Sequence, residues 1–294
     1  MIILNVPTVN DDNKDFDRLF SLWDQVNDDS LDVAFNFSHC HFLRQNAVAF
    51  IGGLARLIES RGGRVEFRWD TLQQKIFTNL AQNGFLCAFG NSSGPWCGNS
   101  IPFREDLFQD KNAVVDYLKT QWLGREWMSI SDRLRDNIVG NVWEIYTNAF
   151  EHGSSAIGVF SCGQHYPWLH ELKLTVVDFG EGIPATVRWH FRNSPSAQNL
   201  SDADCLRWAF RNGTTTKPDG IGRGVGLDLL RDFIQLNNGK LEIFSHNGYT
   251  LIDGSSDIVN NRASFFQGTL ANITLKCDES FYHFSDEPIQ GPYF

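Results

Sequence analysis

Two kinds of apolar spacing alternate over residues 1–90. Short runs rich in branched and aromatic residues, at 1–6, 31–37 and 64–69, read as strands. Between and after them, apolar positions recur every three or four residues. Phe16, Leu19, Phe20 and Trp23 do so within 15–26, and Val48, Ile51, Leu54, Ala55 and Ile58 within 46–60; a third helical pattern covers 72–80. Gly62-Gly63 and Gly84 supply the stops. Strands alternating with helices predict βαβ connections, hence a small α/β domain.

Residues 90–102 break the pattern with Gly, Ser, Asn and Pro, which marks an exposed loop or linker. Beyond it, 112–128 carries one helical pattern, in which Trp122 and Trp127 read as packing residues. Ser131 or Asp132 then caps a longer helix. Leu134, Ile138, Val142, Ile145 and Ala149 give that helix one buried stripe. A strand is predicted at 172–178, a helix face at Leu227, Leu230, Phe233 and Ile234, and an alternating strand at 270–275. The expected organisation is an N-terminal domain over 1–105, a second over 106–277 and a tail over 278–294.

Composition narrows the classes. With 42% hydrophobic and 20% charged residues in 294, the chain is globular, of a length that suits about two domains. A net charge of −10, with no basic half, argues against a general nucleic-acid binder. No apolar run reaches the ~18 residues of a membrane span, and no signal peptide is evident. The six scattered cysteines lack a C-x-x-C pair, so they are expected as reduced thiols in a cytoplasmic protein. His39-Cys40-His41 is not read as a metal site, because adjacent strand residues point to opposite faces.

Four segments carry candidate chemistry. On the long helix, Glu144, Asn148 and Glu151 or His152 fall in line at offsets of four and seven to eight. Such a row can serve a metal-bound nucleotide, the amide oxygen as a hard Mg²⁺ ligand and the carboxylate to polarise water; a solvated polar face is the plain alternative. Next, the strand at 172–178 ends in Asp178, followed by Gly180 and Gly182. Glycines there let backbone approach a flat ligand, and a strand-end Asp can accept from an exocyclic amine. Asp178-Phe179-Gly180 is not the kinase magnesium motif, since no H-R-D-x-x-x-x-N precedes it. Third, Gly220, Gly222, Gly224 and Gly226 lead into a helix, as a phosphate cradle or a lid hinge. Last, Gly268-Thr269 opens the final strand.

In this order the four segments resemble the GHKL family of ATP-binding domains, over about residues 130–277. Glu144-x-x-x-Asn148-Ala149-x-x-His152 matches its N box and Asp178-x-Gly180-x-Gly182 its first glycine box. Gly222-x-Gly224-x-Gly226-Leu227 matches the second, and Gly268-Thr269 the last. The resemblance implies a two-layer α/β sandwich with a mostly antiparallel sheet, and ATP with Mg²⁺ as cofactors. It implies that Asn148 ligates Mg²⁺ and that Asp178 binds the adenine amine over Gly182. It places Gly222, Gly224 and Gly226 at the phosphates and Thr269 near the adenine, with Glu144 where hydrolysing members keep a general base. Residues between Gly182 and Gly222 are the expected lid. Lys217 is its first candidate for neutralising γ-phosphate charge, and Arg223 the second.

More loosely, residues 30–90 resemble a STAS-type domain, the fold of anti-sigma-factor antagonists. The turn where that family commonly keeps a regulatory serine carries Arg44, Gln45 and Asn46 here.

Three functions compete. The first is a regulatory ATPase whose nucleotide state controls contact with a protein partner. The second is a serine/threonine kinase of the anti-sigma type, favoured by the Glu151-His152-Gly153 ending of the N box. The third is a nucleotide-bound adaptor without turnover. A histidine kinase lacks its phosphoacceptor hairpin here. The partner is unnamed by the sequence; GHKL members often work as dimers, so a homodimer is among the expectations.

Overall fold

The computed structural model describes residues 1–27, 31–91, 94–96, 98–153, 155–194, 199–211 and 226–288. The N-terminal alternation folds as strand–helix pairs: β1 (Ile2–Asn5), α1 (Asn13–Asp24), β2 (Val33–Asn36), α2 (Gln45–Ser60), β3 (Val65–Arg68) and α3 (Gln74–Gln82). Asp12 caps α1 by accepting from the Asp15 N–H. The three strands are parallel, in the order β1-β2-β3. A short α4 (Phe85–Ala88) follows Gly84, whose φ of +82° turns the chain.

The remaining strands build one antiparallel sheet. They are β4 (Ser100–Asp106), β5 (Val159–Tyr166), β6 (Glu171–Asp178), β7 (Lys240–Ser245), β8 (Gly248–Asp253), β9 (Asp257–Asn261) and β10 (Thr269–Lys276). Their order is β4-β5-β6-β10-β7-β8-β9, so β10 sits at the centre. The accompanying helices are α5 (Lys111–Tyr117), α6 (Asp132–His152), α7 (Gly182–His190), α8 (Asp202–Ala209) and α9 (Gly226–Leu236). The protein is thus a mixed α/β fold with a large antiparallel sheet.

Period-two alternation gives that sheet two apolar faces. Leu174, Val176, Leu241, Ile243, Ala271 and Ile273 pack with Ile138, Val142 and Tyr146 of α6 and with Leu230 and Ile234 of α9. Their neighbours Phe160, Val177, Phe244 and Leu270 face the other way, into a core shared with α1 and α2. Phe16 of α1 stacks on Phe244 of β7 with ring centroids 4.3 Å apart. The N-terminal segment and the sheet therefore share one continuous core. A helix apolar all round is a core helix, and in α2 13 of 16 residues are buried, more than the single stripe expected for it. A Cβ on Gly53 would come within 2.8 Å of the Phe160 ring, so glycine sets how closely α2 approaches β5.

Several features depart from the expected elements. The sheet begins at Ser100, inside the expected loop and before the expected 105/106 boundary, because β4 pairs with β5. Its register shifts between Ile101 and Arg104, around Pro102, as suits a bulged edge strand. The helix expected over 112–128 passes from α5 into a π-helical turn at Leu118–Trp122 and stops there. Trp122 is buried, and Trp127 stacks on the His165 ring at 4.7 Å. In the α6 stripe Tyr146 is fully buried while Ile145 is only half-buried.

A polar seam crosses the shared core. Gln45 Nε2 lies 3.3 Å from Asn272 Oδ1, which also accepts from the Thr175 hydroxyl at 2.8 Å. Asn272 Nδ2 donates to the buried Glu242 carboxylate, which accepts from Tyr249 as well. Asn46 donates to Asn10 O and to Asp11. Gln45 and Asn46, where STAS-type domains commonly keep a regulatory serine, are the first two residues of α2 and are buried.

Candidate functional site

Three neighbouring strands end in a polar row. Register pairs Thr269 with Asp178 on one side and with Ser245 on the other. All three are in phase with Val176, Ala271 and Ile243, so they point to the α6 face of the sheet. Asp178 and Ser245 are buried.

Asp178 is the chemical centre of the row. Its Oδ1 accepts from the Gly180 N–H at 2.9 Å. Burial pushes its carboxyl up to about 7, although the donating N–H groups of Gly180 and Thr269 pull the other way. A buried acceptor with few partners suits a ligand that brings its own donor.

The loop after Asp178 is fixed by close contact. A Cβ on Gly180 would overlap the Gly153 carbonyl oxygen, and the Glu181 N–H donates to that same oxygen at 2.6 Å. Gly153 ends α6, and a Cβ there would stand 3.1 Å from Asp178 Oδ1. The last turn of α6 therefore abuts Asp178. Gly182 has φ +74°, and a Cβ would meet Ser245 Oγ at 2.8 Å and Gly268 O at 2.9 Å. Only glycine fits both that backbone and that space.

α6 carries the second group of candidates. Ser131 caps it by accepting from the Leu134 N–H. Asn148 is exposed, and Glu144, one turn earlier, is half-buried. His152 is the last helical residue; its side chain lies outside the described set, as does that of Leu227 in α9, which Gly226 opens. Lys217, Gly222, Arg223 and Gly224 lie outside the described residues altogether. The structure thus brings together Asp178, Gly180, Gly182 and Thr269 with the end of α6.

The stretch expected as a lid contains helices. α7 starts at Gly182, and α8 is opened by a Ser201–Asp204 capping box. Arg188 of α7 pairs with Asp202 of α8. Arg207 pairs with Asp204, and Arg192 lies over the Trp189 ring.

Ser245 and His246 are site residues that the apolar pattern does not single out. The signal for them is the hairpin: Leu241 and Ile243, then Asn247-Gly248, then Tyr249 and Leu251. Ser245 pairs with Gly248 across a two-residue loop in which His246 has φ +54°.

Among the described residues no helix is long and apolar enough to cross a membrane, and no cluster of three or more His, Cys, Asp or Glu side chains comes together. Compared with known proteins, the chain matches no protein-family model and none of the curated proteins.

Proposed function

We propose that the chain is an ATP·Mg²⁺-binding regulatory ATPase of the GHKL type, with a STAS-like N-terminal segment. One observation carries the reading. Asp178, buried and carrying a raised pKa, ends a central strand directly opposite Thr269, under a loop whose Gly180 and Gly182 admit no side chain. An acceptor carboxylate beside side-chain-free backbone is what a flat base with an exocyclic amine can use.

The residues fit the cofactors chemically. Asp178 would accept from the base, and Gly182 would lie against it. Asn148, exposed on the same helix as Glu144, offers an oxygen to Mg²⁺, which would take its other ligands from phosphates and water. Bound Mg²⁺ supplies charge neutralisation at the phosphates. Glu144 would orient and deprotonate water, while Lys217 and Arg223 are the candidate cations from the sequence.

Intramolecular phosphotransfer onto the N-terminal segment is the weaker version of the kinase reading. Gln45, the first residue of α2, donates to Thr175 and Asn272, whose side chains lie on the sheet face opposite Asp178 and Thr269. A kinase would need a protein substrate in trans.

Calorimetric titration with a non-hydrolysable ATP analogue and Mg²⁺ tests the proposal. Wild type should bind, Asn148→Ala should bind more weakly with a reduced Mg²⁺ dependence, and Asp178→Asn should lose most affinity. No binding by the wild type overturns it. Glu144→Ala should keep binding and lose turnover. Transfer of label from γ-labelled ATP to a protein would replace the ATPase by the kinase.

A further inference from the structure

We propose that Ser245 is a positioning residue that fixes residues 180–183, the loop after β6 and the first two residues of α7, and thereby sets base specificity, with His246 as its second anchor. The inference rests on the nucleotide reading above and names a determinant that the glycine and N-box motifs do not contain.

Ser245 Oγ uses its full hydrogen-bonding capacity, one proton and two lone pairs. It donates to Gly268 O at 2.7 Å and accepts from the Ile183 N–H at 2.9 Å. With its only proton given to Gly268, the 3.2 Å contact with Thr269 Oγ1 has the threonine as donor. One buried hydroxyl thus ties the loop after Asp178 to the strand start that carries Thr269. Alanine here would leave the part-buried Ile183 N–H and the buried Gly268 C=O without this partner.

His246 holds the other side of the loop. Its Nε2–H donates to Glu181 O at 2.8 Å, and its ring lies 5.0 Å from Phe265. The Glu181 peptide is therefore held at both ends, its N–H by Gly153 and its carbonyl by His246. Gly182 sits between the two anchors: a Cβ on it would stand 2.8 Å from Ser245 Oγ and 2.9 Å from His246 Cδ2.

Specificity follows from this geometry. Asp178 belongs to β6, but the position of Gly182 is dictated by the end of β7. A base that must touch both reads the distance between them. Loosening the loop should cost affinity and, separately, discrimination between an amine and a carbonyl at the base edge.

The test combines amide hydrogen exchange of the free protein with titrations of non-hydrolysable ATP and GTP analogues. For Ser245→Ala we expect at least roughly tenfold faster exchange over 180–186, with β6 still protected. We also expect about tenfold weaker ATP-analogue binding and a reduced ATP-over-GTP preference. Ser245→Thr, which keeps the hydroxyl, should restore both. His246→Asn, which tolerates the positive φ but cannot reach Glu181, should show the same direction if Ser245→Ala fails to fold. Unchanged exchange overturns the clasp. Faster exchange with unchanged affinity and preference overturns the positioning role while leaving the nucleotide site standing. A wild type that binds neither analogue overturns the nucleotide reading and this proposal together, and is distinguished from the previous outcome by the wild-type titration alone.

Discussion

Gly180 rests directly on Gly153: the backbone of the loop after β6 touches the carbonyl that ends α6, with no room for a methyl group between them. The Glu181 N–H donates to the same carbonyl. The contact joins the helix bearing Glu144 and Asn148 to the loop beside Asp178. Gly180→Ala should therefore push backbone against backbone, where no side chain can yield. A loss of about 3 kcal/mol in stability is expected from overpacking of this kind. Urea denaturation measures it. A variant as stable as the wild type would mean that the two segments are not in contact.

Asp178 makes stability depend on pH with a definite sign. Its carboxyl titrates near 3.8 in an unfolded chain and near 7 in the fold. Between those values the unfolded chain releases a proton that the folded protein keeps. The stabilising contribution is complete below pH 3.8, is lost as pH rises toward 7, and then levels off. At roughly 1.4 kcal/mol for each pH unit between the two values, the loss is a few kcal/mol. Asp178→Asn should flatten this part of the profile and be more stable than wild type at pH 8. Stability gained together with nucleotide affinity lost is the signature of a group kept for binding. Parallel wild-type and variant denaturation curves from pH 5 to pH 8 would contradict it.

The local half of this fold is legible in the sequence. The strand–helix alternation of the first 90 residues, the Ser131 cap and the Leu230, Phe233 and Ile234 face all appear as spacing, because each is set by neighbours in the chain. Pairings between distant segments are not legible in this way. β4 is disguised by Pro102 and its bulge, and α2 looks amphipathic because nothing local announces a sheet on its second face. Gln45 and Asn46 read as turn residues, yet their partners include Asn272 and Asn10. The site divides along the same line. Asp178, Gly180, Gly182 and Thr269 stand out as a strand end and glycines. Ser245 reads as an ordinary polar strand residue until β10 is placed beside β7.

Phe266 is the hub where the N-terminal helices meet the site. Its ring stacks on Phe20 at 5.1 Å and meets Trp23 edge-on at 5.9 Å, both from α1. It also touches Phe50 of α2 at 5.2 Å and Phe179, next to Asp178, at 5.3 Å. Phe266→Ala would leave a cavity that four rings cannot all collapse to fill. A cost of about 3–5 kcal/mol is expected. Because one core spans both segments, wild type and variant should each unfold in a single transition seen alike by near- and far-ultraviolet circular dichroism. Two separated transitions would show that the N-terminal segment is energetically independent.

Residues 278–288 strap across the start of α6 and α9, and their parts should contribute unequally. The Ser131 N–H donates to Tyr282 O at 2.8 Å, and the Tyr282 N–H donates to Ser129 O at 2.9 Å. The Tyr282 ring is buried and meets Phe233 of α9 edge-on at 5.4 Å. Glu287 accepts from the Ser131 hydroxyl, so the capping residue of α6 is itself held by the tail. Arg133 and Asp286 also pair, but both are more than half exposed. Exposed pairs gain little over their hydrated, separated state, whereas a buried ring excludes water. Tyr282→Ala should therefore cost about 2–4 kcal/mol, while Asp286→Asn leaves the denaturation midpoint unchanged. Removing residues 278–294 should destabilise at least as much as Tyr282→Ala and raise hydrogen exchange at the first turn of α6. If truncation leaves both untouched, the strap does not hold α6 against α9.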